Sequence, residues 1–237
     1  IRLRILDERP AYPLTVDLLV ASSVWSSMET DATHGLAWGD WNRDGILDLA
    51  VANDTDPVRI YTGTGTDLVV DWSAPAADGT SRLVWGDWNH DGILDLAGVS
   101  PGGFYVSEIL NVELGEPAFL KVWQSQVDTP DDPVSPVDAA WADWDDDGDL
   151  DLALGTSSLG AGLRVFGNIG GSLEPVASAN PGNASAVAWA DWDGDGDLDL
   201  AVTGPGIPTR VYRNQGGLLV EAWAASVTEP SSSLAWG

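Results

Sequence analysis

The chain contains no cysteine, which excludes disulfides, thiol catalysis and Cys-ligated zinc or iron–sulfur centres. Histidine is nearly as scarce, with only His34 and His90. His90 sits in a loop position that Arg43, Asp146 and Gly194 occupy in related segments, so it reads as a solvated loop residue, as does His34. There is no G-x-S-x-G motif, phosphate loop or two-histidine metal pattern, and the expectation is a protein that is not an enzyme. Basic residues are also few: 10 against 37 acidic ones in 237 residues, a formal net charge of −27. Such a surface repels phosphate backbones and anionic lipid, so neither nucleic-acid binding nor membrane docking is expected. No apolar run reaches the roughly 18 residues of a membrane-spanning helix, so membrane insertion is not expected.

What is present is repetition. The phrase LAWGDWNRDGILDLAV from Leu36 returns as LVWGDWNHDGILDLAG from Leu83, AAWADWDDDGDLDLAL from Ala139 and VAWADWDGDGDLDLAV from Val187, and a fifth copy starts at Leu234. With Asp40, Asp87, Asp143 and Asp191 as markers, the spacings are 47, 56 and 48. A period of about 40–50 residues with short β-branched runs and abundant Gly and Pro indicates propeller blades rather than helical repeats. The predicted fold class is all-β, a β-propeller of four-stranded antiparallel blades.

In each unit the first strand is the small, apolar Leu-Ala-Trp-Gly-Asp-Trp segment. An acidic loop follows, and then a buried second strand, Leu-Asp-Leu-Ala-Val. The third strand covers Val58–Tyr61, Leu163–Phe166 or Arg210–Tyr212, and the fourth Leu68–Trp72, Phe119–Trp123 or Leu218–Trp223. All 13 tryptophans fall on repeat positions. Trp38, Trp85, Trp141, Trp189 and Trp236 share one slot, Trp41, Trp88, Trp144 and Trp192 another, and Trp25, Trp72, Trp123 and Trp223 lie on fourth strands. Packing between blades is their expected role; a sugar-stacking platform is the sharper alternative.

This register divides the chain into a partial blade at 1–33, full blades at 34–80, 81–135, 136–182 and 183–232, and the first strand of a further or closing blade at 233–237. Ile1–Leu6 and Asp17–Trp25 are expected to form the third and fourth strands of a blade lacking its first two. A ring closed on these ends would leave its closing blade without a second strand, an unpaired gap that is costly, so the expectation is a fragment of a longer repeat protein.

The acidic loops, Asp40–Asp48, Asp87–Asp95, Asp143–Asp151 and Asp191–Asp199, align as Asp-x-[Asp/Asn]-x-Asp-Gly-x-x-Asp. Alternate positions 1, 3 and 5 place oxygens on one side of a curled loop. Glycine at position 6 allows a positive φ, position 7 offers its carbonyl, and Asp at position 9 closes the cage. The candidate metal residues are Asp40, Asn42, Asp44, Ile46 and Asp48 in the first loop, and Asp87, Asn89, Asp91, Ile93 and Asp95 in the second. In the third they are Asp143, Asp145, Asp147, Asp149 and Asp151, and in the fourth Asp191, Asp193, Asp195, Asp197 and Asp199. Five or more hard oxygens per loop suit Ca²⁺ better than Mg²⁺, and about four ions are expected. An EF-hand is excluded, since position 12 is Val51, Gly98, Leu154 or Val202 and not a bidentate acid. The loops hold 17 of the 37 carboxylates, and the third and fourth are the richest.

The W-x-D-W-[DN]-x-D-G-x-L-D-L-A core over Leu36–Gly237 resembles the FG-GAP/VCBS repeat family, calcium-loop β-propellers that include the integrin alpha-subunit head. The aromatic followed by Asn-x-Gly at Tyr212-Arg213-Asn214-Gln215-Gly216 and Phe166-Gly167-Asn168-Ile169-Gly170 belongs to the resemblance; Tyr61–Gly65 and Gly103–Glu116 depart from it. The resemblance implies calcium ligation by side chains at positions 1, 3, 5 and 9 and the carbonyl at position 7. It also implies an extracellular or cell-surface location and a role in adhesion or in binding glycan or protein ligands. Alternatives are a self-associating subunit of an extracellular assembly and an accessory or catalytic domain of a secreted polysaccharide-degrading enzyme. Weak calcium loops fill at extracellular calcium, which agrees with the location. Asn53-Asp54-Thr55 and Asn183-Ala184-Ser185 match the glycosylation sequon.

Overall fold

The structure is a computed structural model and describes residues 25–100, 103–110, 118–125, 135–157, 162–228 and 230–236. The chain divides into two units, Ile1–Thr30 and Asp31–Gly237. In the first, the expected strands at Ile1–Leu6 and Asp17–Trp25 lie outside the described residues except for Trp25, and 25–30 carry no strand. The rest of this section concerns the second unit.

Its described residues form four sheets of four antiparallel strands, each in simple chain order, and no helix. The first blade contains β1 (Thr33–Gly39), β2 (Asp48–Asn53), β3 (Arg59–Gly63) and β4 (Leu68–Ser73). The second contains β5 (Arg82–Gly86), β6 (Asp95–Ser100), β7 (Gly103–Leu110) and β8 (Ala118–Gln124). The third contains β9 (Pro136–Ala142), β10 (Asp151–Thr156), β11 (Leu163–Asn168) and β12 (Leu173–Ala179). The fourth contains β13 (Ala186–Ala190), β14 (Asp199–Gly204), β15 (Ile207–Asn214) and β16 (Leu219–Ala224). The acidic loops connect first to second strands, as the repeat phrase requires. The segment around Gly103, which departs from the repeat in sequence, still forms a regular strand, pairing Leu96 with Ser107 through Ser100 with Gly103.

Second strands are buried along their length, with only Ser100 at the end of β6 half-buried. A strand carrying apolar residues on both faces is covered on both, and here neighbouring blades do the covering. The three apolar cores each lie between two blades. Trp41, Ala50, Ala52 and Ile60 of the first blade meet Leu83 and Leu96 of the second. Trp88, Ala97, Val99 and Phe104 of the second meet Leu152, Leu154 and Phe166 of the third. Trp144, Ala153 and Val165 of the third meet Val187, Leu200, Val202 and Tyr212 of the fourth. Alternation along Leu-Ala-Leu or Leu-Ala-Val therefore sends one face of the second strand back and the other forward: Leu96 packs against the first blade, Ala97 and Val99 against the third.

The tryptophans follow this logic and explain their own number. Trp41, Trp88 and Trp144 are each 4% exposed under the next blade. Members of the first-strand set stitch blades through the indole: Trp85 Nε1 donates to Ala37 O at 3.1 Å and Trp189 Nε1 to Ala140 O at 3.0 Å, whereas Trp141 Nε1 is buried without a partner among the described residues. Trp236, in a segment without strand geometry, donates to Ala188 O at 3.2 Å, the same bond one repeat later. Beyond the fourth blade the described residues form no further sheet, and there the rings are open: Trp192 is 43% exposed and Trp223 46%. Asn53 of the first sequon is buried and gives its amide to Pro57 O at 2.8 Å, which removes it as a glycosylation acceptor.

Candidate metal centre

The first two loops share one hydrogen-bond plan, and the third and fourth keep part of it. At position 1, Asp40 Oδ1 accepts from Asp44 N at 3.0 Å and Oδ2 from Gly45 N at 2.9 Å. Asp87 repeats both bonds with Asp91 and Gly92. At position 3, Asn42 Oδ1, Asn89 Oδ1 and Asp145 Oδ1 each accept the amide two residues on. At position 5, Asp44, Asp91, Asp147 and Asp195 accept the amide of position 7. Short polar side chains that cap the amides of their own loop curl the chain and hold the carboxylates on its inner side.

Two positions in each loop need left-handed backbone. Position 6 is Gly45, Gly92, Gly148 or Gly196, with φ of 83°, 80°, 96° and 98°, as the sequence predicts. Position 4 was not legible: Arg43, His90 and Asp146 hold φ of 60°, 57° and 59°, and only Gly194 avoids the strain. These residues also touch the next loop. Arg43 Nη2 donates to Asp91 O at 3.4 Å, and His90 Nε2 lies 3.4 Å from Asp149 Oδ1.

Position 9 has a second role that sequence reasoning missed. Asp48, Asp95, Asp151 and Asp199 are at most 1% exposed. One carboxylate oxygen takes the amide of the position-2 tryptophan: Trp41 N at 3.1 Å, Trp88 N at 3.2 Å, Trp144 N at 2.9 Å and Trp192 N at 3.1 Å. In three blades the other takes an amide at the end of the third strand: Gly63 N at 2.8 Å, Asn168 N at 2.8 Å and Asn214 N at 2.9 Å. The acid thus clamps loop entry to third-strand exit. Asn168 and Asn214 extend the clamp across blades, donating Nδ2 to Trp88 O at 2.9 Å and Trp144 O at 2.8 Å. The Asn-x-Gly signal in the sequence carried this contact.

Electrostatics separates the loops. Among the described residues, two groups of three carboxylates converge with oxygens within 4.8 Å of one another: Asp143, Asp145 and Asp151, and Asp191, Asp193 and Asp195. Asp147, Asp149, Asp197 and Asp199 lie outside these triplets, and the first two loops form no such group. There Asn42 Nδ2 instead donates to Asp44 Oδ2 at 3.2 Å. Asp151 is pushed up to about 6, first by burial, with the charges of Asp145 and Asp147 adding against the amides of Asn168 and Trp144. Burial followed by the charge of Asp147 also raises Asp145, and burial raises Asp48 and Asp199.

The third loop gives the fit test for a cation. Asp143 Oδ1 is buried without a hydrogen-bond partner, beside two further carboxylates. A carboxylate oxygen in that position is costly unless a proton or a cation meets it. The donors are all oxygen, which matches calcium chemistry.

A profile of the FG-GAP-like repeat matches residues 40–98 and 143–202, about half of the chain. The chain belongs to the FG-GAP-like repeat family. Both matched stretches open on position 1 of an acidic loop, Asp40 and Asp143, so the matched residues include the loops just described. Solved structures share the fold. One crystal structure of BBS1N in complex with ARL6DN, soaked with mercury, has a TM-score of 0.57 at 15% identity over 84% of this chain and 55% of that one. A second, soaked with lead, has a TM-score of 0.51 at 17% identity over 81% and 55%. Saccharomyces cerevisiae Sqt1 has a TM-score of 0.54 at 11% identity over 78% and 46%. The repeat chain spans about half the length of these structures. No curated protein matches it.

Proposed function

We propose that this FG-GAP repeat chain is a calcium-stabilised β-propeller module that works outside the cell, without catalysis, to bind glycan or protein ligands. The observation that carries the calcium part is the buried, unpartnered Asp143 Oδ1 beside Asp145 and Asp151. Asp143, Asp145, Asp147, Asp151 and the Asp149 carbonyl would hold an ion in the third loop, and the equivalent residues would do so in the fourth. Bound calcium supplies positive charge that removes the repulsion among these carboxylates. The first two loops, with the same backbone and fewer acids, are weaker sites of the same kind. Filling by millimolar calcium, and not by cytosolic levels, supports the extracellular setting.

Calcium titration by calorimetry, with terbium luminescence sensitised by Trp144 and Trp192, tests this reading. Saturable binding that Asp143→Asn with Asp145→Asn weakens is the expected result. No heat and no sensitised emission at millimolar ion would overturn it. A second reading, a subunit of an extracellular assembly, is favoured by the exposed rings of Trp192 and Trp223. It requires sedimentation to show concentration-dependent association that Trp223→Lys removes.

A further inference from the structure

Between the first and second blades lies a pocket of ≈ 340 Å³. That is the lower end of the size range of small-molecule sites. Its walls are Trp72 and Phe119, with ring centroids 4.5 Å apart; Val58, Leu96, Tyr105 and Ser107 form its buried floor; Asp78 and Lys121 stand at its rim.

At this pocket the second blade breaks the repeat. Opposite position 12, the third strand carries arginine in the other blades: Val51 pairs with Arg59, Leu154 with Arg164 and Val202 with Arg210. Here Gly98 pairs with Tyr105. A Cβ on Gly98 would overlap the Tyr105 ring, so the glycine lets the ring lie flat across the strand. The cation lost with the arginine returns from the fourth strand as Lys121, the only lysine in the chain.

Each rim group is held in place. Lys121 Nζ is 2.6 Å from Asp78 Oδ2 and 3.7 Å from the Tyr105 ring centroid. Asp78 Oδ1 accepts from Thr80 Oγ1 at 2.5 Å, and Thr80 Oγ1 shares a hydrogen bond of 2.9 Å with Tyr105 Oη. In the first blade the equivalent acid, Asp31, pairs with Arg59 of its own third strand at 2.8 Å. Ser107 is 4% exposed, lines the pocket, and its hydroxyl has no hydrogen-bond partner among the described residues. A hydroxyl that lines the pocket without a protein partner can pair with a polar group of a bound molecule.

We propose that this pocket binds one neutral pyranose residue of a glycan, edge-on to the Asp78–Lys121 pair. An acceptor and a donor 2.6 Å apart match two adjacent sugar hydroxyls: one gives its proton to Asp78, and the other accepts from Lys121. A third hydroxyl completes Ser107. The C–H face of the ring lies against Trp72 and Phe119, whose faces are electron-rich. An anionic sugar is disfavoured, since the Lys121 charge is already matched and the chain carries −27. The proposal rests on the glycan-binding form of the function above and gives it a location.

The test is a titration of the calcium-loaded protein with methyl glucoside, galactoside and mannoside, followed by saturation-transfer NMR and calorimetry. At least one should bind saturably. Lys121→Met, which keeps the aliphatic stem, and Ser107→Ala should each weaken binding by about tenfold or more. Both should melt within about 2 degrees of wild type, and Ser107→Ala holds the test if Lys121→Met fails to fold. Equal binding by wild type and both folded variants overturns the site while leaving glycan binding elsewhere intact. No binding of any pyranoside overturns the site too, and the calcium role then stands or falls on the ion titration alone.

Discussion

The first two loops and the last two share a backbone and differ in charge. Asn42 and Asn89 stand where Asp145 and Asp193 stand, and Ile46 and Ile93 where Asp149 and Asp197 do. The capping bonds at positions 1, 3 and 5 and the left-handed glycine at position 6 nevertheless recur in the second and third loops. Loop shape is therefore set by short side chains capping their own amides, and acid content is a separate variable laid over it. In the first loop an amide N–H relieves a neighbouring carboxylate; in the third and fourth, carboxylates face one another.

Removing the ion should break this comparison most visibly. For a Kd of about 0.1 mM in about 2 mM calcium, linkage supplies about 1.8 kcal/mol per site. Chelation should then lower the melting temperature by well over about ten degrees. Calorimetric scans with and without chelator check this, and a change under about two degrees removes the structural role. The charge difference predicts that the third and fourth loops supply more of this loss than the first two.

At position 9 the loops should instead behave alike. Asp48→Ala strands two buried amides and Asp199→Ala one buried and one part-buried amide, and each should cost about 2–5 kcal/mol in urea unfolding whether or not calcium is present. A cost that vanishes in chelator would make the acid a metal ligand only.

Acidity gives a smaller effect of opposite sign in the two states. The folded pKa of Asp151, about 6, lies above its unfolded value of 3.8. In chelator its stabilising contribution is full below 3.8 and is lost as pH rises through about 6, so mild acid should raise the melting temperature. In calcium, protons compete with the ion and the same change should lower it. Melting curves between pH 5 and 7 in both buffers decide the point; parallel curves would remove cation–proton competition.

Smallest is the conversion of one loop into the other kind. Asn42→Asp with Ile46→Asp should tighten calcium binding several-fold at the first loop while leaving the chelated fold nearly unchanged. Calorimetric titration is the measurement, and unchanged affinity would detach acid content from affinity.

Much of this was legible from the phrase itself. Its period marked the blades, its Asp and Gly spacing marked the loops, and one tryptophan slot marked the seams, where Trp41, Trp88 and Trp144 are buried while Trp38, Trp192, Trp223 and Trp236 are exposed. What stayed hidden depends on partners far along the chain. Nothing local says that Asp151 reaches Asn168, or that Asn214 reaches back to Trp144. The left-handed turn at Arg43 and His90 was hidden because neither residue prefers it. Gly98 appeared as a missing EF-hand acid, and only its register opposite Tyr105 shows that it makes room for a ring.

The placement of the apolar cores has a consequence for how such chains are inherited. The stretch duplicated in the sequence is a single sheet, but the object that folds is a junction, half from one copy and half from the next. A gene that gains or loses one copy alters two junctions at once, and every copy must stay compatible with both neighbours. Divergence can also be absorbed inside one sheet, as where Gly98 makes room for Tyr105 across a strand pair, and its effect then reaches the seam that the sheet shares with its neighbour.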